Sequence, residues 1–316
     1  MNTGLYTDPI FLQHDTGDHP ENAGRLDAIS STLRGNGMLG RLQVKQSQVA
    51  SAEDIERIHT RDHVRRVEEA ALSGMRYLGT PDCVLSHETY LVAQHAAGAV
   101  VQAASEVAQG RLDNAFVACR PPGHHAEANR ALGFCYFNNV AIAAAFLTDA
   151  LGYQRVLIFD FDVHHGNGTQ HAFDARRDVF YCSVHQHPRT CYPGTGYAEE
   201  RGAGDGLGFT LNAPVLPYAT DADYLALFDG TLLPAFMEYK PDFILLSAGF
   251  DAHRDDPLAL VNLTQVGFDH MARGMKRLSL DCCQGRLVSV LEGGYNYARL
   301  SECVTSHLEI LQADPA

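Results

Sequence analysis

The chain has 316 residues, 46% of them hydrophobic and 20% charged, and a formal net charge of −14. This length supports one large core, and the composition is that of a globular protein with no apolar run of about 18 residues to cross a bilayer. The acidic balance, with no local basic cluster, argues against direct nucleic-acid binding and suits a basic substrate such as a lysine-bearing tail or a polyamine.

The N-terminal segment MNTGLYTDPIFLQHDTGDHP has neither a basic start nor a continuous apolar stretch, so no secretory signal is expected and a cytoplasmic setting is. The first third then reads as mostly helical, with amphipathic spacing in 24–38, 56–72 and 87–110. From Asn114 onward strand and helix alternate. The expected strands are 114–119, 155–161, 178–184, 207–213, 241–248 and 286–291, with helices near 136–150, 169–175, 221–239, 264–280 and 297–312. Such alternation predicts a parallel sheet with helices on both faces. Three connections rich in Gly, Pro and His, at 120–135, 185–206 and 249–262, are long enough to be functional loops. No repeat or linker divides the chain, so a single domain over 1–316 is expected. Cysteines stand at 83, 119, 135, 182, 191, 282, 283 and 303 without a C-x-x-C pair, which favours reduced, buried thiols.

Four of the apolar runs lead into residues that carry chemistry. NAFVACRPPG is followed by His124 and His125, RVLIFDFDVHHGNG contains Asp160, Asp162 and His164, PDFILLSAGF is followed by Asp251, and RLVSVLEGG by Tyr295. Ligands of open α/β sheets bind at the carboxyl ends of the strands, so these residues can converge on one crevice. Strand alternation through 160–164 puts Asp160, Asp162 and His164 on one side. Asp162 and His164 can then hold one divalent ion together with a ligand from another strand, for which Asp251 is the candidate. Two carboxylates and an imidazole with an open position suit zinc first, then ferrous iron or cobalt. The competing reading, polar residues that merely cap strands, leaves buried carboxylates and imidazoles with no cation to offset them.

His124 and His125 are read as acid–base groups beside the metal, since using them as further ligands would close the open position. Asp160 is free to hold one of the rings. Tyr295, after Gly293 and Gly294, is either a turn residue or a hydrogen-bond donor to a developing oxyanion. Phe134 and Tyr192 are either core residues or the flanks of a narrow apolar channel.

The segments RPPGHHAEANRALGFCYFNNVAIAA, IFDFDVHHGNGTQ, YPGTGYAEE, LSAGFDAHRDDPLALVNLT and LEGGYNYA resemble the zinc-dependent histone deacetylase family, in its class II-like and bacterial branch. The likeness runs in order from about residue 14 to residue 300. It implies an arginase-like α/β domain on a central, mostly parallel eight-stranded sheet flanked by helices. It also implies an amidohydrolase that removes acetyl or other acyl groups from amines, above all the lysine ε-amine of proteins or peptides. By motif position Asp162, His164 and Asp251 would bind zinc, His125 would be the general base and His124 an electrostatic partner. Asp160 would buttress His124, Asn167 would stand beside His125, and Tyr295 would stabilise the oxyanion. Phe134 and Tyr192 would flank the substrate tunnel, Gly133 would border the substrate N–H, and Asp82 would lie at the rim. A structural potassium or sodium ion would be held by Asp160, Ser183 and the carbonyls of Asp162, His164 and Val184. Bacterial relatives occur as dimers and tetramers, so a homo-oligomer is compatible with the resemblance.

Asn167 stands where class I members have Asp and class II-like ones Asn, and Tyr295 where some vertebrate class IIa members have His. Two departures concern the mouth of the site: Ala23 replaces a common Pro, and Asp255 a common Gly. The main alternative within the family is an acetylpolyamine amidohydrolase. Leu258, at the position of the acidic gatekeeper of polyamine-selective relatives, favours an uncharged acyl-lysine tail, whereas the −14 charge favours a polyamine. A non-catalytic zinc-binding scaffold would be expected to have lost a ligand or Tyr295, and neither is missing.

Overall fold

The computed structural model describes residues 1–314. Eight strands form one sheet in the order β2-β1-β3-β8-β7-β4-β5-β6, and every pairing is parallel. The strands are β1 Thr3–Tyr6, β2 Gln43–Lys45, β3 Asn114–Val117, β4 Val156–Asp160, β5 Val179–Gln186, β6 Thr210–Val215, β7 Phe243–Ala248 and β8 Leu287–Leu291. Helices α1 Gly24–Gly35, α2 Ala52–Glu56, α3 Arg61–Leu72, α4 Thr89–Ala108, α5 Asn139–Ala145, α6 Asn167–Phe173, α7 Asp221–Leu227, α8 Leu233–Tyr239, α9 Gln265–Cys283 and α10 Tyr297–Gln312 flank it. The central strands β3, β4, β5, β7 and β8 are buried along their whole length. That is why their sequences read as continuous apolar runs, not as alternating ones. The order β3-β8-β7-β4 sets four carboxyl ends side by side, and the loops that follow them carry the candidate residues.

The first third is not purely helical. β1 and β2 occupy one side of the sheet with four and three residues, too few to carry a period-two signal. The strand expected at 207–213 lies at Thr210–Val215, because residues 204–209 form turns, with the Phe209 N–H donating to Gly206 O at 3.0 Å. The helix expected over 221–239 is broken into α7 and α8 by a wide turn at Phe228–Leu232, next to Pro234, which lacks an N–H for the helix ladder. The helix expected from 136 starts at Asn139, where the Asn138 side chain caps it by accepting from Ala141 N at 3.1 Å. All eight cysteines are unpaired, and six of them are buried in strands, loops or helices: Cys83, Cys119, Cys135, Cys182, Cys283 and Cys303 at 1% exposure or less. No helix among the described residues is long and apolar enough to cross a membrane.

Two buried histidines make the fold sensitive to acid. His59 accepts the Asn138 N–H at 2.8 Å through Nε2 and lies 2.9 Å from Glu127 O through Nδ1, a pattern only the neutral ring satisfies. His307 contacts Ser289 Oγ at 2.9 Å inside the core. Burial lowers their pKa values to about 3 and about 4. The unfolded chain therefore binds more protons than the folded one between about pH 6.5 and these values, so stability is full above pH 6.5 and falls as pH drops through that window. The thermal midpoint should decline between pH 7 and pH 4, by an amount equivalent to up to about 3 kcal/mol per histidine, and replacing His307 by Gln should flatten the decline.

Candidate active site

The chain leaves β4 at Asp160, so Asp162 and His164 lie beyond the strand, in a turn that spans 161–166. Strand alternation is thus not what aligns them. The turn is shaped by hydrogen bonds instead. Asp162 Oδ1 accepts from His164 N at 2.9 Å, Asp162 Oδ2 from Gly293 N at 2.8 Å, and Asp251 Oδ1 from Val163 N at 2.9 Å. Loops from β4, β7 and β8 are so tied that His164 Nδ1 sits 3.0 Å from Asp162 Oδ1 and 3.1 Å from Asp251 Oδ2.

These three residues fit a divalent ion. One ligating atom from each lies within 4.8 Å of the others, and the two carboxylates are at most 1% exposed. The separations of 3.0 and 3.1 Å approach the edge of about 3.3 Å that a tetrahedron of ~2.0 Å bonds would have. Burial and the neighbouring Asp162 charge push the Asp251 carboxyl up, while burial is overcome at Asp162 by His124 and His164, which hold it down. Two carboxylates so close are unfavourable in the interior without a cation. The backbone makes room for them: a Cβ on Gly293 would stand 2.1 Å from Asp251 Oδ2 and 2.6 Å from Asp162 Oδ2.

The tandem histidines arrive on the loop after β3. Its backbone is fixed by Glu292, whose Oε2 accepts from Gly123 N at 2.7 Å and His124 N at 3.2 Å. His124 Nδ1 faces Asp160 Oδ2 at 3.0 Å, and His125 Nδ1 faces Asn167 Oδ1 at 2.8 Å, with the ring centroids 4.0 Å apart. Burial disfavours charge on His124, yet Asp160, Asp162 and Glu292 outweigh it and raise the pKa to about 10. His125 has a neutral amide as its partner, and burial together with His124 and His164 lowers it well below its usual value. The surroundings favour charge on one imidazole and disfavour it on its neighbour.

Tyr295 is 9% exposed, and burial raises its phenol well above the usual range, so it is protonated. The Arg25 guanidinium lies 4.9 Å from its ring centroid, and Tyr295 N donates to Asp256 Oδ2 at 2.7 Å. Arg25 Nε donates to Gly294 O at 2.7 Å and its Nη1 to Glu21 Oε1 at 3.2 Å, while Glu21 also takes Arg120 at 2.6 and 2.8 Å. The Arg25–Glu21–Arg120 cluster, Asp256 and Glu292 were not anticipated from the sequence. For Glu292 and Arg120 the signal is a charge at the end of an apolar run, as in VSVLEGG and FVACR, which must find a buried partner.

A cavity of about 270 Å³ opens over these groups, lined by Asp82, Pro122, His124, His125, Gly133, Phe134, His164, Tyr192, Leu258, Gly293 and Tyr295. The rim residues expected from sequence thus meet at one mouth. Phe134 faces Tyr295 edge-on at 5.9 Å and Tyr192 faces His125 at 5.0 Å. Gly133 has φ 52° and Phe134 φ 68°, a left-handed pair that brings the chain onto the histidine. A Cβ on Gly133 would meet His125 Cδ2 at 2.3 Å. Asp160, Asn167, Ser183 and Val184 stand behind the cavity, not in it: Asp160 pairs in register with Ser183 on β5. Ala23 and Asp255, expected at the mouth, do not line this cavity; Asp255 accepts from Arg299 Nε at 2.9 Å, and its carbonyl from Asn296 Nδ2 at 2.9 Å, which ties its loop to α10.

Among the described residues, an all-parallel eight-stranded sheet carries one candidate metal triad, a histidine pair and a tyrosine at its carboxyl edge, which makes this an α/β protein with a candidate metal-centred active site. Residues 19–311 match the histone deacetylase domain. The chain is 38% identical over 296 residues to histone deacetylase 15 of Arabidopsis thaliana, covering 93% of this chain and 52% of that protein. It is 39% identical to a probable deacetylase of Archaeoglobus fulgidus, over 94% of this chain and 82% of that protein. It is 35% identical to human histone deacetylase 9, over 95% of this chain and 33% of that protein. The crystal structure of the HDA15 HD domain superposes with a TM-score of 0.93 at 36% identity, covering 98% of this chain and 88% of that one. The chain belongs to the histone deacetylase family. It spans about half the length of the Arabidopsis histone deacetylases 15 and 5. The relatives named here are plant, archaeal and animal proteins, so the expectation of a bacterial branch draws no support from them.

Proposed function

We propose that the protein is a zinc-dependent amidohydrolase that removes acetyl or related acyl groups from the lysine ε-amine of proteins or peptides. The observation that carries this reading is the convergence of Asp162, His164 and Asp251 with His124, His125 and Tyr295 on one narrow, apolar-walled cavity. When bound by the triad, zinc supplies Lewis acidity toward the amide carbonyl and the attacking water. The acyl-lysine stem lies between Phe134 and Tyr192, Gly133 borders the substrate N–H, and Asp82 meets the substrate backbone at the rim. His125 donates from Nδ1 to Asn167, which leaves Nε2 with a lone pair to take the proton of the water. His124, paired with Asp160, carries positive charge beside the developing negative charge and keeps it there throughout. The Tyr295 hydroxyl donates to the carbonyl oxygen as it becomes an oxyanion. His125 then passes its proton to the leaving amine.

A structural potassium or sodium ion belongs to the same reading. Asp160 and Ser183 are paired in register and both fully buried, and the carbonyls of Asp162, His164 and Val184 would complete its shell. So does an intracellular, cytoplasmic setting, for which the eight unpaired cysteines speak. No nucleic-acid or membrane partner is invoked, and a homo-oligomer is compatible with it.

The acetylpolyamine alternative uses the same machinery, and Leu258 separates the two. It lines the cavity mouth, with its N–H held by Asp256 Oδ1 at 3.0 Å. Leu258→Glu should raise kcat/KM for an acetylpolyamine relative to an acetyl-lysine peptide by about tenfold or more, through a carboxylate set against a distal cation. A wild-type protein that already prefers the polyamine would reverse the assignment.

A further inference from the structure

The partner of His125 is itself held by a second layer that nothing in the catalytic scheme uses. Asn167 Nδ2 donates to Glu127 Oε1 at 2.6 Å and to His125 O at 3.3 Å. Glu127 in turn is gripped by His171, whose Nδ1 is 2.9 and 3.0 Å from its two oxygens. Asn167 and His171 are four residues apart, on one face of α6, so a single carboxylate can bridge both. The backbone of Glu127 is pinned as well, donating to Arg130 O at 2.9 Å and facing His59 Nδ1 through its carbonyl at 2.9 Å. The Glu127 side chain is 14% exposed and His171 is 47% exposed, so the chain His125–Asn167–Glu127–His171 runs from the catalytic cavity to the surface.

An amide differs from a carboxylate in having a donor end and an acceptor end. If Asn167 turned over, it would offer Nδ2 to His125 Nδ1 and favour the tautomer protonated at Nε2, in which the ring cannot take a proton from water. Glu127 accepts only, so it fixes Nδ2 on its own side and Oδ1 on the side of His125. We infer that Glu127 is a positioning residue that sets the tautomer of His125 by orienting the Asn167 amide, and that the pair Glu127 with Asn167 acts as one unit. This inference rests on the reading of His125 as the general base. A further consequence is that Asn, not Asp, is required at 167 while Glu stands at 127, because two carboxylates 2.6 Å apart cannot both ionise.

The test is a set of variants of the zinc-loaded protein assayed on an acyl-lysine substrate. Glu127→Leu removes the acceptor and should lower kcat by about 10- to 100-fold with KM little changed. Glu127→Gln keeps an acceptor, with its amide oxygen toward Asn167, and should stay within about threefold of wild type. Asn167→Asp should be impaired about as strongly as Glu127→Leu, whereas Asn167→Asp combined with Glu127→Gln, whose amide then donates to the new carboxylate, should recover most of the loss. Nitrogen-15 shifts of the His125 ring provide a readout without turnover: the wild type should be protonated at Nδ1, and Glu127→Leu should show the Nε2 tautomer. Equal kcat in wild type and Glu127→Leu, or additive losses in the double variant, would overturn the inference while leaving the general-base reading intact. A wild type inactive on every acyl-amine would instead overturn that reading, and the ring shifts would still report whether Glu127 orients Asn167.

Discussion

Tyr295→Phe should lower kcat for acyl-amine hydrolysis by about 10²- to 10³-fold, with metal content and thermal midpoint close to wild type. The substitution removes one hydroxyl and leaves everything that fixes the ring. Arg25 would still stack at 4.9 Å from the ring centroid, and the backbone N–H would still donate to Asp256 at 2.7 Å. Phe134 would still face the ring edge-on. The side chain is almost wholly buried, so no water easily takes the place of the lost donor. The loss therefore reports the hydroxyl, measured as kcat together with zinc stoichiometry. Activity near that of the wild type would mean that the oxyanion is stabilised elsewhere.

Asp251→Asn should release the metal and abolish turnover. The amide oxygen can still accept from Val163 N, the bond that shapes the turn after Asp160, so the loop has reason to stay in place. What is lost is a charge whose oxygen stands 3.1 Å from His164 Nδ1 within a buried triad. Loss of a group that merely supports a ligand typically costs 10- to 100-fold in metal affinity, and loss of a ligand should exceed about 100-fold. Zinc content after dialysis against a competing chelator reads this directly. Full occupancy in the variant would show that the ligand set is wrong.

The centre of the site was legible in the sequence because His124, His125, Asp162, His164, Asp251 and Tyr295 stand in the loops that follow buried parallel strands, and such strands announce themselves as unbroken apolar runs. Parallel pairing then brings the loop residues together whatever their distance along the chain. Asp162 and His164 converge through a turn hydrogen-bonded to Asp251 and Gly293, not through the pleat of β4 that their spacing suggests. What supports the site was not legible. Arg120 and Glu21 are 99 residues apart, and Arg25 and Gly294 are 269 apart, and no spacing rule joins them. Glu127 stood in the same motif as the histidines, yet its target only becomes visible once α6 presents Asn167 and His171 on one face. β1 and β2 escaped for a simpler reason, since three or four residues carry no period.

The most direct measurement is the release of acetate from an acetyl-lysine peptide by the protein stripped of metal and then titrated with zinc. The stripped protein should be inert, and activity should rise to a plateau at one equivalent and disappear in the Tyr295→Phe control. Turnover that survives stripping, or a zinc-loaded protein that hydrolyses neither the peptide nor an acetylpolyamine, would contradict a single-metal amidohydrolase at this cavity.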